Sequence, residues 1–201
     1  MTALRVGEDG IARCWWCGDD PLYVDYHDTE WGVPVHGDRE MFERLVLEAF
    51  QSGLSWITIL RRRDGFRSAF ANFDPHVVAE FGPADRARLL TDTGIIRNSV
   101  KIDATIRNAA IVATMMDTEP GALDDLIWSH APKGRRPAIR TIADLPAFTP
   151  ESVALAKALK KRGFTFVGPT TAYAHMQAVG VVNDHVEGCA ARGDSSDRDP
   201  R

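Results

Sequence analysis

The strongest constraint on the fold is a cysteine and histidine pair at each end of the chain. Cys14 and His27 lie near the beginning of the 201-residue sequence, and His185 and Cys189 lie near its end. Two thiols and two imidazoles can complete the tetrahedral shell of one zinc ion, with no coordination position left for a substrate. If they bind one ion, the two ends of the chain must meet, and the residues between them carry the function.

The spacing of these residues does not by itself establish a metal site. His185 and Cys189 are four positions apart, so a helical turn would place both on one face, whereas Cys14 and His27 need a loop or packed turn between them. The pattern is not that of a standard zinc finger, and unrelated cysteines with surface histidines are the alternative. The third thiol, Cys17, is either a spare residue or a competing ligand.

Composition narrows the class of protein. The formal net charge of −4 is not the overall signature of a nucleic-acid-binding protein. Basic residues are nevertheless clustered, notably at 61–63 and 157–162, and each cluster is either a solvated face or a contact to a polyanion. The odd count of three cysteines argues against a disulfide framework, and no apolar run or signal peptide suggests a membrane. We therefore expect a cytoplasmic protein with no membrane partner.

Apolar periodicity predicts an all-α fold of roughly eight to ten short helices. The clearest helix contains Met41, Phe42, Leu45, Val46, Ala49 and Phe50, with Asp38 as its N-cap and Gly53 as its stop. Further helices are predicted from Ser55 to the arginine triplet, from Pro75 to Gly82, from Pro83 to Gly94, and over 99–117, 122–129, 150–163 and 170–179. Asp74 is the predicted N-cap of the helix at Pro75, and Thr149 opens the helix at Pro150. We expect residues 12–190 to form a single domain, with a flexible N-terminus over 1–11 and a disordered tail over 191–201.

The segment between the last two predicted helices has a distinctive composition. Gly163 and Gly168 bracket an apolar stretch, preceded by Lys160, Lys161 and Arg162 and followed by Pro169. Such a hairpin can present backbone N–H groups and a helix N-terminus to a phosphate. The alternative is an ordinary αα-corner whose aromatic residues belong to the core.

Tryptophan and tyrosine are concentrated in the first 56 positions of the chain, which hold four of the five tryptophans and two of the three tyrosines. They are Trp15, Trp16, Tyr23, Tyr26, Trp31 and Trp56. They either pack an ordinary core or form the walls of a pocket that stacks on a flat, electron-poor ligand.

Glu48 is the one acidic residue beside an apolar stripe in the helix over 39–51. A carboxylate at that position pairs with a cation, points to solvent at the edge of the stripe, or meets a ligand. The helical pattern taken alone favours the edge position.

Several motifs together resemble the 3-methyladenine DNA glycosylase I family. They are DPLYVDYHDTEWGVP at 20–34, QSGLSWIT at 51–58, GIIR at 94–97, LKKRGF at 159–164, FVG at 166–168 and NDHV at 183–186. The resemblance covers about residues 12 to 190, in order and at matching spacing, and several unrelated strings coincide, so it is highly specific.

The resemblance implies a helix-hairpin-helix glycosylase fold of two closely packed helical lobes, joined at the chain ends by one structural zinc. The implied zinc ligands are Cys14, His27, His185 and Cys189. The implied catalytic residue is Glu48, with Tyr26, Trp56, Trp16, Tyr23 and Trp31 around the excised base. For contacts to DNA we predict Leu54 as the wedge, together with Gly163, Phe164, Gly168, Thr170 and Lys161.

The implied activity is hydrolysis of the glycosidic bond of 3-methyladenine in alkylated duplex DNA, after the base has flipped out of the stack. We expect a monomeric, monofunctional enzyme, because no lysine stands where bifunctional relatives place one. The family lacks the usual aspartate of helix-hairpin-helix glycosylases, and we interpret Asp184 as structural. The alternatives are a zinc-stapled module that binds damaged DNA without excision and a zinc hydrolase with an open metal site.

Overall fold

The computed structural model describes residues 3–134 and 136–193. This part of the chain contains ten α-helices and one two-stranded sheet. The strands are β1 (Leu4–Val6) and β2 (Ala12–Cys14), and the helices are α1 (Pro21–Thr29), α2 (Asp38–Gln51), α3 (Trp56–Leu60), α4 (Arg63–Ala69), α5 (Pro75–Ala79), α6 (Pro83–Thr91), α7 (Ser99–Thr118), α8 (Ala122–Trp128), α9 (Pro150–Lys161) and α10 (Pro169–Ala178). The predicted predominance of helices is confirmed.

The N-terminal residues differ from the prediction of a flexible segment. β1 and β2 pair antiparallel, with Leu4 opposite Cys14, and the Ala3 carbonyl accepts a hydrogen bond from Trp15 N at 3.0 Å. Ala3 is buried. Strands of three residues are too short to produce a visible alternation in sequence, so the sheet was missed. Residues 1–2 of the predicted flexible segment and 194–201 of the predicted tail lie outside the described residues.

The start of α2 is the second difference. Asp38 is the first residue of the helix, and the preceding residue, Gly37, has a φ of 102°. The Asp38 carboxylate caps α8 instead, where it accepts hydrogen bonds of 2.8 to 3.0 Å from the backbone N–H groups of Gly121, Leu123 and Asp124. A negative charge at this helix N-terminus is favourable, so the residue joins two helices rather than capping its own.

Other helix starts follow the local sequence. The Asp74 carboxylate accepts from His76 N at 3.0 Å and from Val77 N, just before α5. Thr149 and Ser152 exchange hydrogen bonds of 2.9 and 3.2 Å at the start of α9. These two predicted caps are confirmed, because each depends only on residues close in sequence.

α2 lies inside the main hydrophobic cluster, which extends from Tyr26 to Val182. It packs against α3, α7, α8 and α10. A smaller cluster containing Cys14, Val186 and Cys189 lies where the two ends of the chain meet. Within the described ranges, none of the helices is both long and apolar enough to cross a membrane.

Candidate functional site

The four cysteine and histidine side chains from the ends of the chain form one buried cluster. Cys14 ends β2, His27 lies in α1, and His185 and Cys189 follow α10. Their candidate ligand atoms all lie within 4.8 Å of one another. The sequence prediction that these residues meet is therefore confirmed, and the cluster could hold a metal ion.

The distances within the cluster match those of a tetrahedral metal site. Cys189 Sγ lies 3.4 Å from His27 Nε2 and 3.5 Å from His185 Nδ1, and Cys14 Sγ lies 3.6 Å from His185 Nδ1. A tetrahedral zinc ion with ordinary bond lengths separates its sulfur and nitrogen ligands by about 3.5 Å. These three sulfur–nitrogen distances fit a closed four-coordinate site.

The ring nitrogens that face away from the cluster are also engaged. His27 Nδ1 lies 2.7 Å from Asp28 Oδ1, and His185 Nε2 lies 3.0 Å from the Trp31 carbonyl oxygen. Arg13 donates three hydrogen bonds of 2.8 to 2.9 Å to the Asp28 carboxylate. Such partners fix the orientation of each imidazole and turn its other nitrogen toward the thiols.

Cys17 lies outside this cluster. Its thiol donates to the Cys14 carbonyl oxygen at 3.1 Å and is buried. Cys14 Sγ in turn accepts a hydrogen bond from Val186 N at 3.4 Å, a contact that joins the two ends of the chain. The structure therefore favours the interpretation of Cys17 as a spare thiol over that of a competing ligand.

A cavity of about 210 Å³ lies next to the cluster and has mainly aromatic walls. The aromatic residues of the first 56 positions that were singled out from the sequence all line it, together with Leu145 and Ala174. The polar residues that line it are Glu48, Gln51 and Gln177. The predicted base-contacting residues are thus brought together around one cavity.

The aromatic rings support one another in two groups. Trp16 contacts Tyr23 and Trp31, with ring centroids 5.1 and 4.8 Å apart. Tyr26 and Trp56 form a second pair at 5.3 Å. Edge and tilted contacts of this kind hold rings in fixed positions, and their faces can then stack on a flat or cationic ligand.

Glu48 is buried at the cavity, with a relative exposure of 6%. Within the described residues it has no hydrogen-bonding or ion-pairing partner, because the nearby Arg44 pairs with Glu30 at 3.3 Å. Burial raises the pKa of Glu48 to about 8, and the charge of Arg44 opposes that shift. The edge position favoured by the helical pattern is wrong, because α10 and the aromatic residues cover this face of α2.

Three further polar groups line the cavity, from Trp56, Gln51 and Gln177. Trp56 Nε1 is buried and has no hydrogen-bond acceptor among the described residues. Gln51 and Gln177 were not singled out from the sequence, although Gln51 follows Glu48 by three positions on the same helix face. No local signal identifies Gln177, because it reaches the cavity from α10.

The side chain of Gln177 is anchored by a hydrogen bond to Asp184. Its Nε2 donates to the Asp184 carboxylate at 2.9 Å, and the Tyr173 hydroxyl and the Arg136 guanidinium donate to the same group. Asp184 is buried, so its charge is balanced by these donors.

The predicted DNA-contacting residues lie mostly on the surface. Leu54 is exposed beyond the end of α2, and Lys161, Gly163 and Thr170 are exposed around the loop between α9 and α10. Phe164 is the exception, because its ring is buried and only its backbone can contact a ligand. Its neighbour Phe166 is the exposed aromatic residue of the loop, and this residue was missed.

Comparison with known proteins agrees with this geometry. Residues 16–192 match the methyladenine glycosylase family. The chain is 48% identical to DNA-3-methyladenine glycosylase 1 of Escherichia coli K12, over 89% of this chain and 96% of the relative. A crystal structure of 3-methyladenine DNA glycosylase I, at 47% identity, superposes with a TM-score of 0.84 and covers 89% of this chain and 98% of the other.

A second solved structure is a tyrosine-to-phenylalanine variant of 3-methyladenine DNA glycosylase I in complex with 3-methyladenine. It is 30% identical, has a TM-score of 0.80, and the match covers 87% of this chain and 94% of that one. Sequence, fold and site geometry lead to the same conclusion: this chain belongs to the methyladenine glycosylase family.

Proposed function

We propose that this chain excises 3-methyladenine from alkylated duplex DNA, as an enzyme that hydrolyses N-glycosyl bonds in base-excision repair. The observation that carries the proposal is Glu48, a buried carboxyl group without a partner at a cavity with aromatic walls. The relatives are named for the same activity, and one was solved with 3-methyladenine bound.

The chemistry of the lesion fits this cavity. Methylation at N3 makes adenine cationic and weakens its bond to the sugar, so the base is already activated as a leaving group. A cationic purine gains from the faces of indole and phenol rings, which Trp56 and Tyr26 supply. The carboxyl group of Glu48 can accept a hydrogen bond from the exocyclic amino group of the base.

The raised pKa of Glu48 gives the site a preference for a cationic base. In the empty cavity a pKa of about 8 keeps the carboxyl group mostly protonated near neutral pH. A cation that enters the cavity stabilises the ionised form, so that the proton is released and a buried ion pair forms. Unmodified adenine brings no charge and cannot compensate the desolvation of a carboxylate.

Bond cleavage then needs little covalent help from the protein. The glycosidic electron pair leaves with the base, which becomes neutral, while positive charge develops on the sugar; water then adds to the anomeric carbon and loses a proton to solvent. The nearby Glu48 carboxylate stabilises that charge in a poorly solvated site. We assign no water-activating role to Asp184, because three donors already occupy its carboxylate.

The terminal cluster is proposed to hold one structural zinc ion through Cys14, His27, His185 and Cys189. The support is the fit of the donor set and its distances to a closed tetrahedral site. When bound, the ion would supply a cross-link between the chain ends. With four protein ligands there is no open position for substrate, which disfavours the alternative of a zinc hydrolase.

For DNA binding we propose that α9, the loop 162–168 and α10 form a helix-hairpin-helix unit. This unit belongs to one domain over residues 12–190, which consists of two closely packed lobes. Gly163, Gly168 and Thr170 would contact the phosphate backbone, with Lys161 adding charge. Leu54 is exposed beyond α2 and would fill the gap left by the flipped base. The enzyme would act as a monomer and would not cleave the DNA strand.

The test is release of free bases from methylated duplex DNA by the wild type, Glu48→Gln and Glu40→Gln. Glu40 is an exposed residue on the same helix and serves as the matched control. We expect 3-methyladenine but not 7-methylguanine from the wild type, and a rate lower by about a hundredfold for Glu48→Gln alone. If the wild type bound the DNA but released no base, the alternative of a damage-binding module would replace this proposal.

A further inference from the structure

Lys101 is a buried cation at the start of α7 that the proposed chemistry does not use. Its relative exposure is 6%. Its Nζ donates hydrogen bonds of 2.8 Å to the Phe50 carbonyl oxygen and 2.7 Å to the Ser52 carbonyl oxygen. These carbonyls end α2 and begin the turn that carries Leu54, so the ammonium group occupies the negative end of that helix.

The same ammonium group also contacts the loop between α9 and α10. It lies 5.5 Å from the centre of the Phe166 ring, within the range of a cation–π interaction. Phe166 has a φ of 58°, a left-handed conformation that a phenylalanine rarely adopts without support from its surroundings. One side chain of α7 thus touches two surface segments that are more than 100 positions apart in sequence.

A second side chain of α7, that of Asn108, binds the loop between α9 and α10 at a position two helical turns after Lys101. Asn108 is buried; its Nδ2 donates to the Thr165 carbonyl oxygen at 3.0 Å, and its Oδ1 accepts from Thr165 N at 2.9 Å. Lys101 and Asn108 are seven residues apart and therefore lie on one face of the helix. α7 connects the turn 52–54 to the loop 163–168 through these two residues.

A buried lysine without a carboxylate partner needs a reason. Within the ranges that the structure describes, no acidic group forms an ion pair with Lys101, and burial lowers the pKa of its ammonium group. Taking a charge out of water is unfavourable, and backbone carbonyls and a ring face return only part of that free energy. Its burial also removes it from direct contact with a phosphate.

We propose that Lys101 is a positioning residue that fixes the turn 52–54, which carries Leu54, relative to the loop 163–168. This inference rests on the proposed function, in which Leu54 enters the base stack while the loop holds the backbone. The two segments must engage one duplex at the same time, so their separation must be set before DNA binds. An error of about 1 Å in such an arrangement can reduce the rate a hundredfold.

The test compares Lys101→Met with Arg86→Met. The methionine keeps the length of the apolar stem but removes the charge. Arg86 lies in α6 and forms an exposed ion pair with Asp103 of α7. Its replacement therefore also removes one cation that contacts α7. For Lys101→Met we expect base release from methylated duplex DNA to be about tenfold to a hundredfold slower. Binding of free 3-methyladenine, followed by tryptophan fluorescence, should stay within about twofold of the wild type for both variants, because the cavity is intact.

Two additional readouts separate positioning from other roles. If Lys101 only contacted a phosphate, Lys101→Met would reduce the slope of log affinity against log salt by about 1, whereas positioning leaves that slope unchanged. The fold reduction in rate of the double variant should be smaller than the product of the reductions in Lys101→Met and Asn108→Ala. Both side chains act on the same distance, that between the turn 52–54 and the loop 163–168.

Backbone hydrogen exchange tests the role of Lys101 without a measurement of base release. In Lys101→Met, but not in Arg86→Met, backbone amides over both 52–54 and 164–167 should exchange faster than in the wild type. Faster exchange over 52–54 alone would overturn the inference and reduce Lys101 to a cap of α2. A wild type that releases no base would refute the proposed function, and the exchange result would still decide whether Lys101 links the two segments.

Discussion

The terminal cluster and the aromatic cavity are neighbours that differ in how their polar groups are satisfied. Trp16 and Trp31 form the layer between them, since each lines the cavity while Trp16 packs on His27 at 5.1 Å and Trp31 on His185 at 4.6 Å. On the cluster side, each imidazole has an oxygen partner on its outer nitrogen and sulfur on its inner one. On the cavity side, Glu48 and Trp56 Nε1 have no partner among the described residues.

This difference distinguishes a site built for stability from a site built for a ligand. Burial of an unpartnered polar group is unfavourable, so an unpartnered group that lines a cavity is a candidate for contact with a ligand. If the cluster holds one zinc ion, as proposed, its donor set is complete. The proposed ligand of the cavity, a flat cationic base, would complete the interactions of Glu48. The following predictions test that contrast in order of decreasing effect.

The largest effect is expected from Cys189→Ser. Loss of one ligand should release the metal and lower the free energy of unfolding by about 5 kcal/mol, since the ends of the chain would no longer be cross-linked. The measurements are zinc content by elemental analysis and unfolding in urea. Cys17→Ser is the control, because that buried thiol lies outside the cluster and should leave the zinc content at one ion. Equal losses in the two variants would contradict the assignment.

Glu48 should make the folded protein less stable as the pH rises. Its pKa is raised to about 8 from a usual value of 4.5, so the folded state binds a proton more tightly than the unfolded state between these values. Stability is therefore lost from pH 4.5 to 8, by about 4 kcal/mol, and Glu48→Gln should remove that dependence. Urea unfolding of the wild type and the variant at pH 5 and 8 checks this, and parallel curves would show that Glu48 is not buried.

His175 should have the opposite effect. It is fully buried in α10, both ring nitrogens lack partners among the described residues, and burial, with a contribution from Arg44, lowers its pKa to about 3. The unfolded state then binds the proton more tightly below pH 6.5, so stability is lost as the pH falls. We expect about 2 kcal/mol of this loss between pH 6.5 and 4.5 to be absent in His175→Leu. Acid unfolding monitored by circular dichroism measures it, and an unchanged acid sensitivity would contradict the burial.

The smallest effect is expected from Trp31→Leu, in the layer that Trp16 and Trp31 form between the cluster and the cavity. Trp31→Leu removes a cavity wall but keeps the backbone carbonyl that His185 uses. We expect the affinity for free 3-methyladenine to fall about tenfold, a loss of about 1.4 kcal/mol, while one zinc ion stays bound. Isothermal calorimetry and elemental analysis report the two quantities separately. Loss of zinc in this variant would show that the ring, and not only the carbonyl, supports the cluster.

The contrast also shows which features the sequence could predict. The four cluster residues were singled out because two thiols and two imidazoles make one complete donor set, and the family resemblance favoured this over unrelated residues. The caps at Asp74 and Thr149 were found because capping is local. Asp38 was misassigned, because its carboxylate reaches α8, more than 80 residues away in sequence. The buried position of Phe164 was missed for the same reason, since nothing in the loop itself shows which ring packs inward.

The sequence by itself determined most of the helices, though not α1 and α4, as well as the cluster residues and the family, because periodicity, capping and motif strings are properties of neighbouring residues. Only the tertiary structure decided that Glu48 is buried without a partner, that Gln177 joins the cavity from α10, and that Lys101 links two distant surface segments. Exposure, pKa and hydrogen-bond partners depend on which elements pack together, and in this chain groups that meet can come from segments separated by tens of residues to well over a hundred.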